Sequence, residues 1–477
     1  MNETEEITEQ QTADRNKTTA DLTKGNLLTN IIKFTIPIIL TGILQLLFNA
    51  ADIAVVGNFA SDTALAAVGA TGALNNLIVN LILGLSVGAG VCVARCFGAK
   101  DDKGMFEVVH TSMLTAIIGG IIFGAIGVIF GRVFLEWMAT PDNVIDQSTT
   151  YMRIIFCGVP FMIVYNFGAS ILRSVGNTKQ PLYYLVTAGV INVLLNLFFV
   201  LVLKRDVDGV ALATIISQFV ACVLVVRYLV KVNGPHKLYF KKLKIYGKRL
   251  RDIIIIGLPA GLQGSVFSIS NILIQSSINS FGDIVMSANT AAGNIEGFVY
   301  TAMNSFHQTA LTFVGQHIGA KKEYRIKNIC LICVACVSVV GLVFGLGVYL
   351  LGPQLLSLYA KPEIRDDVIR YGLIRMSWIA APYFLCGIMD TLSGILRGIN
   401  KSVESMVLTL FFACGFRIFW IYTVFAANRT LSVLYMSYPI SWTLCIIFEA
   451  LLFIISYGKM MKKVRLQQQT ETLQPLN

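Results

Sequence analysis

The stretch Phe48-Asn49-Ala50-Ala51-Asp52-Ile53-Ala54-Val55-Val56-Gly57 decides the class of fold, because it sets one carboxylate inside an apolar run from about residue 30 to 57. A helix of about 20 mostly apolar residues crosses the hydrocarbon core of a bilayer, so this run is long enough to span one. The rest of the chain reads the same way. Residues of the AVILMFWYC set make up 55% of the 477, charged residues only 14%, and mean hydropathy is +0.69. Soluble domains carry about 25% charged residues, so this chain cannot cover a water-facing surface. The composition predicts a membrane protein and excludes disordered, fibrous and disulfide-scaffold classes.

Twelve apolar stretches follow along the chain, at about 30 to 57, 66 to 95, 108 to 135, 150 to 172, 181 to 203, 209 to 231, 252 to 280, 285 to 315, 328 to 352, 371 to 396, 403 to 427 and 432 to 457. Period-2 alternation is not evident, which argues against a membrane β-barrel. An even number of spans puts both termini on one side. Loops on that side hold twenty Lys or Arg against nine on the other, so both tails are predicted to be cytoplasmic. The formal net charge of +11 therefore reads as membrane-orienting charge and not as a nucleic-acid surface. Its largest cluster, Lys231 to Arg251, is an orienting linker close to anionic lipid. Residues 1 to 24 are polar and acidic, without the apolar core of a signal peptide. The ten cysteines fall in or beside apolar segments and are expected to be free thiols; Cys330, Cys333 and Cys336 share one helix but have no fourth zinc ligand.

The linker divides two similar halves. Pro37, Gly42, Asn49 and Phe59 recur as Pro259, Gly264, Asn271 and Phe281 at a spacing of 222. Gly98-Ala99-Lys100 recurs as Gly319-Ala320-Lys321 and Pro141 as Pro362 at 221, Pro160 as Pro382 at 222, and Ile171-Leu172-Arg173 as Ile395-Leu396-Arg397 at 224. The order and nearly constant offset mark a duplicated six-helix unit. Six spans per copy give both copies the same orientation, related by an axis along the membrane normal, which is a transporter architecture.

A charge at mid-membrane costs about 2.5 to 3.5 kcal/mol on insertion scales, so ionisable groups inside the spans are functional candidates. Asp52 lies about five residues from the outer end of span one. Asn192 and Asn196, on one face of span five, and Thr214 in span six fall at a similar depth. A carboxylate ringed by amide and hydroxyl oxygens takes a proton or a small hard cation such as Na⁺, so these four form the predicted ion-coupling site. In the second half Glu296 and Arg417 lie about ten residues from the outer surface and are expected to pair. Asp390 and Glu449 lie deeper, with no partner evident in the sequence. Asn49, Gln263, Asn271 and His307 are candidates to line a substrate cavity, and Met303, with nearby aromatic residues, suits flat apolar cations. No phosphate-binding G-x-x-x-x-G-K-[ST] loop and no H-E-x-x-H pair occurs, and the four histidines are scattered. The chain is thus expected not to be an enzyme, to need no cofactor, and to draw on an ion gradient.

Five of these stretches, in order, resemble the multidrug and toxic compound extrusion (MATE) family: the region Pro37 to Gly69 with Asp52, Leu172-Arg173-Ser174-Val175-Gly176-Asn177-Thr178, Asn-Val-Leu-Leu-Asn at 192 to 196, and Gly209-Val210-Ala211-Leu212-Ala213-Thr214, with the Ala-Leu-Ala-Ala-Val-Gly that follows Asp52. The likeness covers about residues 25 to 458. It implies an all-α membrane protein with a V-shaped pair of six-helix lobes, exporting organic cations or amphipathic drugs in exchange for H⁺ or Na⁺. Asp52 matches the family's helix-one Asp, Asn192 its helix-five Asn and Thr214 its helix-six Thr, while Asn196 stands where the family often has Asp. That departure removes formal charge from a Na⁺ site and favours H⁺. Another branch of the family uses a helix-seven Glu, where this chain has Gln263, and a helix-ten Asp, for which Asp390 lies about one turn too near Arg397. The expected organisation is a tail over 1 to 24, a first lobe over 25 to 231, the linker 232 to 251, a second lobe over 252 to 458 and a tail over 459 to 477. The expected partners are drug-like small molecules and the bilayer of the cell membrane, with no nucleic acid, and the expected working form is a monomer. The alternative is a flippase or exporter of lipid-linked saccharides, which shares the two-lobe plan.

Overall fold

The computed structural model describes the backbone of residues 19 to 59, 62 to 138 and 140 to 473, and side chains except those of 56 to 70, 72 to 78, 142, 143 and 471 to 473. Most of the N-terminal tail and the side chains of the Ala64 to Gly69 motif therefore lie outside the described residues. The chain folds as helices: α1 Leu27–Phe59, α2 Asp62–Gly98, α3 Asp102–Trp137, α4 Asp142–Ser174, α5 Lys179–Val202, α6 Val207–Lys231, α7 Gly247–Asn279, α8 Asp283–Gly319, α9 Ile326–Leu350, α10a Arg365–Trp378, α10b Phe384–Gly398, α11 Ser402–Phe425 and α12 Leu431–Leu473. Among the described residues ten helices are long and apolar enough to cross a membrane. Helix α8 has the length, 37 residues, but carries many polar side chains. The tenth stretch is the exception to an unbroken span, because α10a and α10b are separated at Ile379 to Tyr383, around Pro382. Every predicted apolar stretch thus has its helical element. Large apolar side chains such as Ile129, Val343 and Phe411 are exposed at 65%, 62% and 69%, as a lipid-facing surface requires.

The duplication is written into the backbone. Lys100 and Lys321, which close the repeated Gly-Ala-Lys turns, have φ of 54° and 55°. After the repeated Ile-Leu-Arg, Gly176 and Asn400 have φ of 87° and 66°. Each turn ends its helix in the same way: Asn177 N–H donates to the Leu172 carbonyl at 2.9 Å, and Lys401 N–H to that of Leu396 at 2.8 Å. Helices α5 and α11 each end in a widened π turn, at Phe198–Val202 and Ile421–Phe425, 223 residues apart. Apolar patterning carries no signal for such a turn.

The repeated prolines behave differently. Pro160 sits inside an unbroken α4, where its turn packs on small residues: a Cβ on Gly120 would meet Pro160 Cα at 2.7 Å, and one on Gly124 the Phe156 carbonyl at 2.9 Å. At Pro382 the helix opens, and a Cβ on Gly345 of α9 would meet the Ala380 carbonyl at 2.3 Å. Proline removes one amide donor in either place, and the neighbouring backbone decides whether the helix parts.

The chain divides into two compact units, one made mainly of Lys33–Ser265 and the other of Thr23–Ile32 with the chain beyond Ser265. This boundary falls inside α7, whereas the sequence division falls at the linker before it. The reason lies within the first unit, where α7 meets α2 through glycines. A Cβ on Gly84 would lie 2.1 Å from Gly261 N, and one on Gly88 2.3 Å from the Ile253 carbonyl oxygen. Gly84 and Gly88, like Gly257 and Gly261, are four residues apart and share a helix face, which lets the two backbones touch. In the same unit the basic linker is strapped to α3: Tyr239 N–H donates to His110 Nε2, Tyr246 N–H to Thr111 Oγ1, and Arg249 pairs with Glu107 at 3.0 Å.

Candidate functional site

The first unit brings Asp52, Asn196 and Asn192 together. Asn196 Nδ2 donates to Asp52 Oδ1 at 2.5 Å and lies 3.4 Å from Asn192 Oδ1. Asn196 is 0% exposed and its Oδ1 has no partner, an acceptor with nothing to accept. Two amides one helical turn apart on α5 therefore face a half-buried carboxylate on α1. Close by in the chain, toward the ends of α1 and α5, Val55, Val200, Val207 and Val210 form an apolar cluster with Tyr151 and Leu197 packed on it. Tyr151 of α4 also interacts electrostatically with the Asp52 carboxyl; nothing in the sequence marks it, since one aromatic residue in an apolar span looks like any other. Thr214 is half-buried on α6, and its hydroxyl donates to the Val210 carbonyl of its own helix at 3.0 Å, leaving oxygen lone pairs but no hydrogen to offer. The π turn of α5 begins two residues after Asn196, and such turns are frequent at functional sites.

In the second unit the predicted Glu296–Arg417 pair is replaced. Glu296 Oε2 accepts from both Nη2 and Nε of Arg375, at 2.7 and 3.1 Å, and Glu296 is 2% exposed. Arg375 Nη1 donates to Asn289 Oδ1, which also accepts from Tyr435. Arg375 is one of the nine basic residues that the sequence assigns to the outer side; the break at Pro382 makes its segment a separate helix packed on α8 and α12. Arg417 instead lies over the Tyr438 ring, 4.1 Å from its centre, and donates to Ser441 Oγ at 2.9 Å.

The other cavity candidates are placed as follows. Asn49 and Asn271, equivalent in the repeat, are both exposed, and Gln263 is buried within α7. Met303 is 1% exposed and packs where Gly341 of α9 and Gly387 of α10b make room for its sulfur, so it fills a helix junction. His307 bridges two groups on α10b: Nδ1 donates to the Asp390 carbonyl at 2.6 Å and Nε2 accepts from Arg397 Nη1 at 3.1 Å. Because a carbonyl only accepts and a guanidinium only donates, these partners specify the neutral Nδ1–H tautomer. Glu449, without a partner in sequence, has its Oε1 3.0 Å from Ser405 Oγ and 3.2 Å from Thr409 Oγ1.

Duplicated six-helix repeats, a carboxylate held by amides within the first and buried ionisable groups through the second define a multi-pass membrane protein of the transporter type. The MatE family model matches residues 37–198 and 259–423, and the chain belongs to that family. The two matched segments start at Pro37 and Pro259, the repeat spacing read above. The probable multidrug resistance protein YpnP of Bacillus subtilis is 29% identical over 392 residues, covering 82% of this chain and 86% of that protein. A second from the same organism, YoeA, is 27% identical over 390 residues, covering 80% and 83%. A solved structure described as the outward-facing conformation of a multidrug resistance MATE family transporter matches with a TM-score of 0.86 at 22% identity, over 92% of this chain and 98% of that one, a likeness of fold.

Proposed function

We propose that the protein is a secondary antiporter of the cell membrane, both termini cytoplasmic, exporting organic cations or amphipathic drugs in exchange for H⁺ or Na⁺. Family membership and the names of its relatives support the export of drugs. The observation that carries the coupling is the Asp52–Asn196 contact between α1 and α5. Ionised, Asp52 accepts an Asn196 amide hydrogen; neutralised, it loses that charge-assisted bond, and α1 is free to shift on the valine cluster that includes its own Val55. That shift releases drug outward, and return of the ion to the cytoplasm resets the site. One carboxylate is fully neutralised by one proton. Na⁺ suits the same residues, since Asp52, the unpartnered Asn196 Oδ1 and Asn192 Oδ1 are all hard donors, and the Thr214 oxygen on α6 is a further one. The buried Arg397 and Arg417 are already committed to side-chain partners, so they supply no open basic cavity of the kind a saccharide-phosphate carrier needs.

The test is purified protein in liposomes, with ethidium transport followed under an imposed Na⁺ gradient and, separately, a pH gradient. One gradient is expected to drive transport, and Asp52→Asn to abolish it while leaving insertion and folding intact. Transport by Asp52→Asn at the wild-type rate ends the mechanism.

A further inference from the structure

We propose that Glu449, with Ser393, Ser405 and Thr409, forms a second proton-carrying site, in the second unit and separate from Asp52. Glu449 lies on α12 and is 0% exposed. Its Oε1 is 3.0 Å from Ser405 Oγ and 3.2 Å from Thr409 Oγ1, both on α11, and its Oε2 has no partner. The charged and titratable groups facing it are Asp390 and Arg397 from α10b and Cys445 from its own helix.

Counting hydrogens identifies the state of the carboxyl. Thr409 Oγ1 lies 2.9 Å from the Ser405 backbone carbonyl, which can only accept, so the single hydroxyl hydrogen of Thr409 is used there. Its remaining lone pairs face Glu449 Oε1, and two oxygens in contact need a hydrogen between them. A protonated Glu449 supplies it. Ser393 and Ser405 hydroxyls, 2.9 Å apart, use one hydrogen between themselves and leave one to donate to the same carboxyl. With a neutral acid every hydroxyl hydrogen of the cluster has an acceptor and Oε2 is an uncharged carbonyl oxygen, whereas a carboxylate would place charge on an unpartnered Oε2 in a dry interior.

The same groups provide the exit. Ser405 is three residues from the start of α11, about 4.5 Å along the axis from the α10b–α11 turn. On release the Glu449 O–H bond breaks, Ser405, its hydroxyl turned away from the carboxyl, accepts that proton and gives up its own toward the turn, where water takes it, and Arg397 offsets the carboxylate left behind. His307 is not a carrier, because both its nitrogens are committed. The π turn Leu410–Gly415 starts directly after Thr409, a point where α11 can yield when the carboxyl changes charge.

The site is read from geometry alone; its role in exchange rests on the antiport reading. Infrared difference spectra of the full chain in lipid should show a carboxylic-acid C=O band at neutral pH that is missing in Glu449→Gln and disappears as pH rises. Ser405→Ala should shift that band, and it tests the same contact if Glu449→Gln does not insert. In liposomes Glu449→Gln should bind ethidium but lose pH-driven transport, since a side chain that cannot ionise cannot complete the cycle. No band at neutral pH, a band indifferent to pH or to Ser405→Ala, or Glu449→Gln transport at the wild-type rate overturns the proposal. Wild-type protein that moves no ethidium under either gradient overturns the antiport reading instead, and the spectra still decide the site.

Discussion

In the first half the ionisable group of the site, Asp52, meets amides; in the second, Glu296 is clamped by both Nε and Nη2 of Arg375. The backbones of the halves match down to the sign of φ after the repeated Gly-Ala and Ile-Leu-Arg motifs, so the contrast lies in side chains placed on a common scaffold. A carboxylate held only by neutral donors can change protonation without stranding a partner. One locked to a guanidinium cannot, because neutralising it leaves a buried cation. At these two positions the duplicated frame thus carries a carboxylate bonded to neutral amides in one half and a structural ion pair in the other.

Several substitutions sharpen or break that contrast. Arg375→Ala should have the largest effect, a loss of about 3 to 5 kcal/mol from an uncompensated Glu296, read by unfolding in detergent. Adding Glu296→Gln should recover most of it. Asp52→Asn, by contrast, should change stability by less than about 1 kcal/mol, and a larger loss there would mean that the two carboxylates are not different in kind. Next come the repeated turns. Gly176→Ala should cost about 1 to 3 kcal/mol, since φ is 87° and a Cβ would lie 2.4 Å from the Ala20 carbonyl oxygen, whereas its counterpart Asn400 already bears a side chain at φ 66°. Lys100→Gly and Lys321→Gly should each stabilise by up to about 1 kcal/mol, in equal measure, because a left-handed lysine is relieved at both. Unequal gains would show the turns to be alike in shape only. The smallest effect belongs to Thr214→Val, within about 0.5 kcal/mol, because its hydroxyl bonds only to Val210 of its own helix; a marked loss of Na⁺-driven transport with stability unchanged would make its oxygen an ion ligand.

Much of the fold was legible because lipid imposes it. Each span must be long, apolar and internally hydrogen-bonded, and those demands leave a mark in every local window. The Asp52, Asn192 and Asn196 grouping was legible for a related reason: polar groups stand out against an apolar background, and helix geometry puts Asn192 and Asn196 on one face. Arg375 was missed as the partner of Glu296 because it reads as an outer-side cation unless the break at Pro382 is known. Tyr151 was missed because its type is ordinary in a span, and the hydroxyl bonds of Glu449 because serine and threonine are unremarkable there.

What the amino-acid sequence determined by itself is therefore the solvent, the twelve helical stretches, the duplication and the shared helix face of Asn192 and Asn196. These follow from composition, length and a rise of about 1.5 Å per residue. The tertiary structure alone decided which proline parts its helix, where the π turns fall, which arginine answers Glu296, and that the first half of α7 packs with the unit before it. Each of those depends on what a distant stretch of chain presents at the point of contact, a glycine that admits a backbone or a hydroxyl that completes a hydrogen bond, and no local window of sequence contains that neighbour.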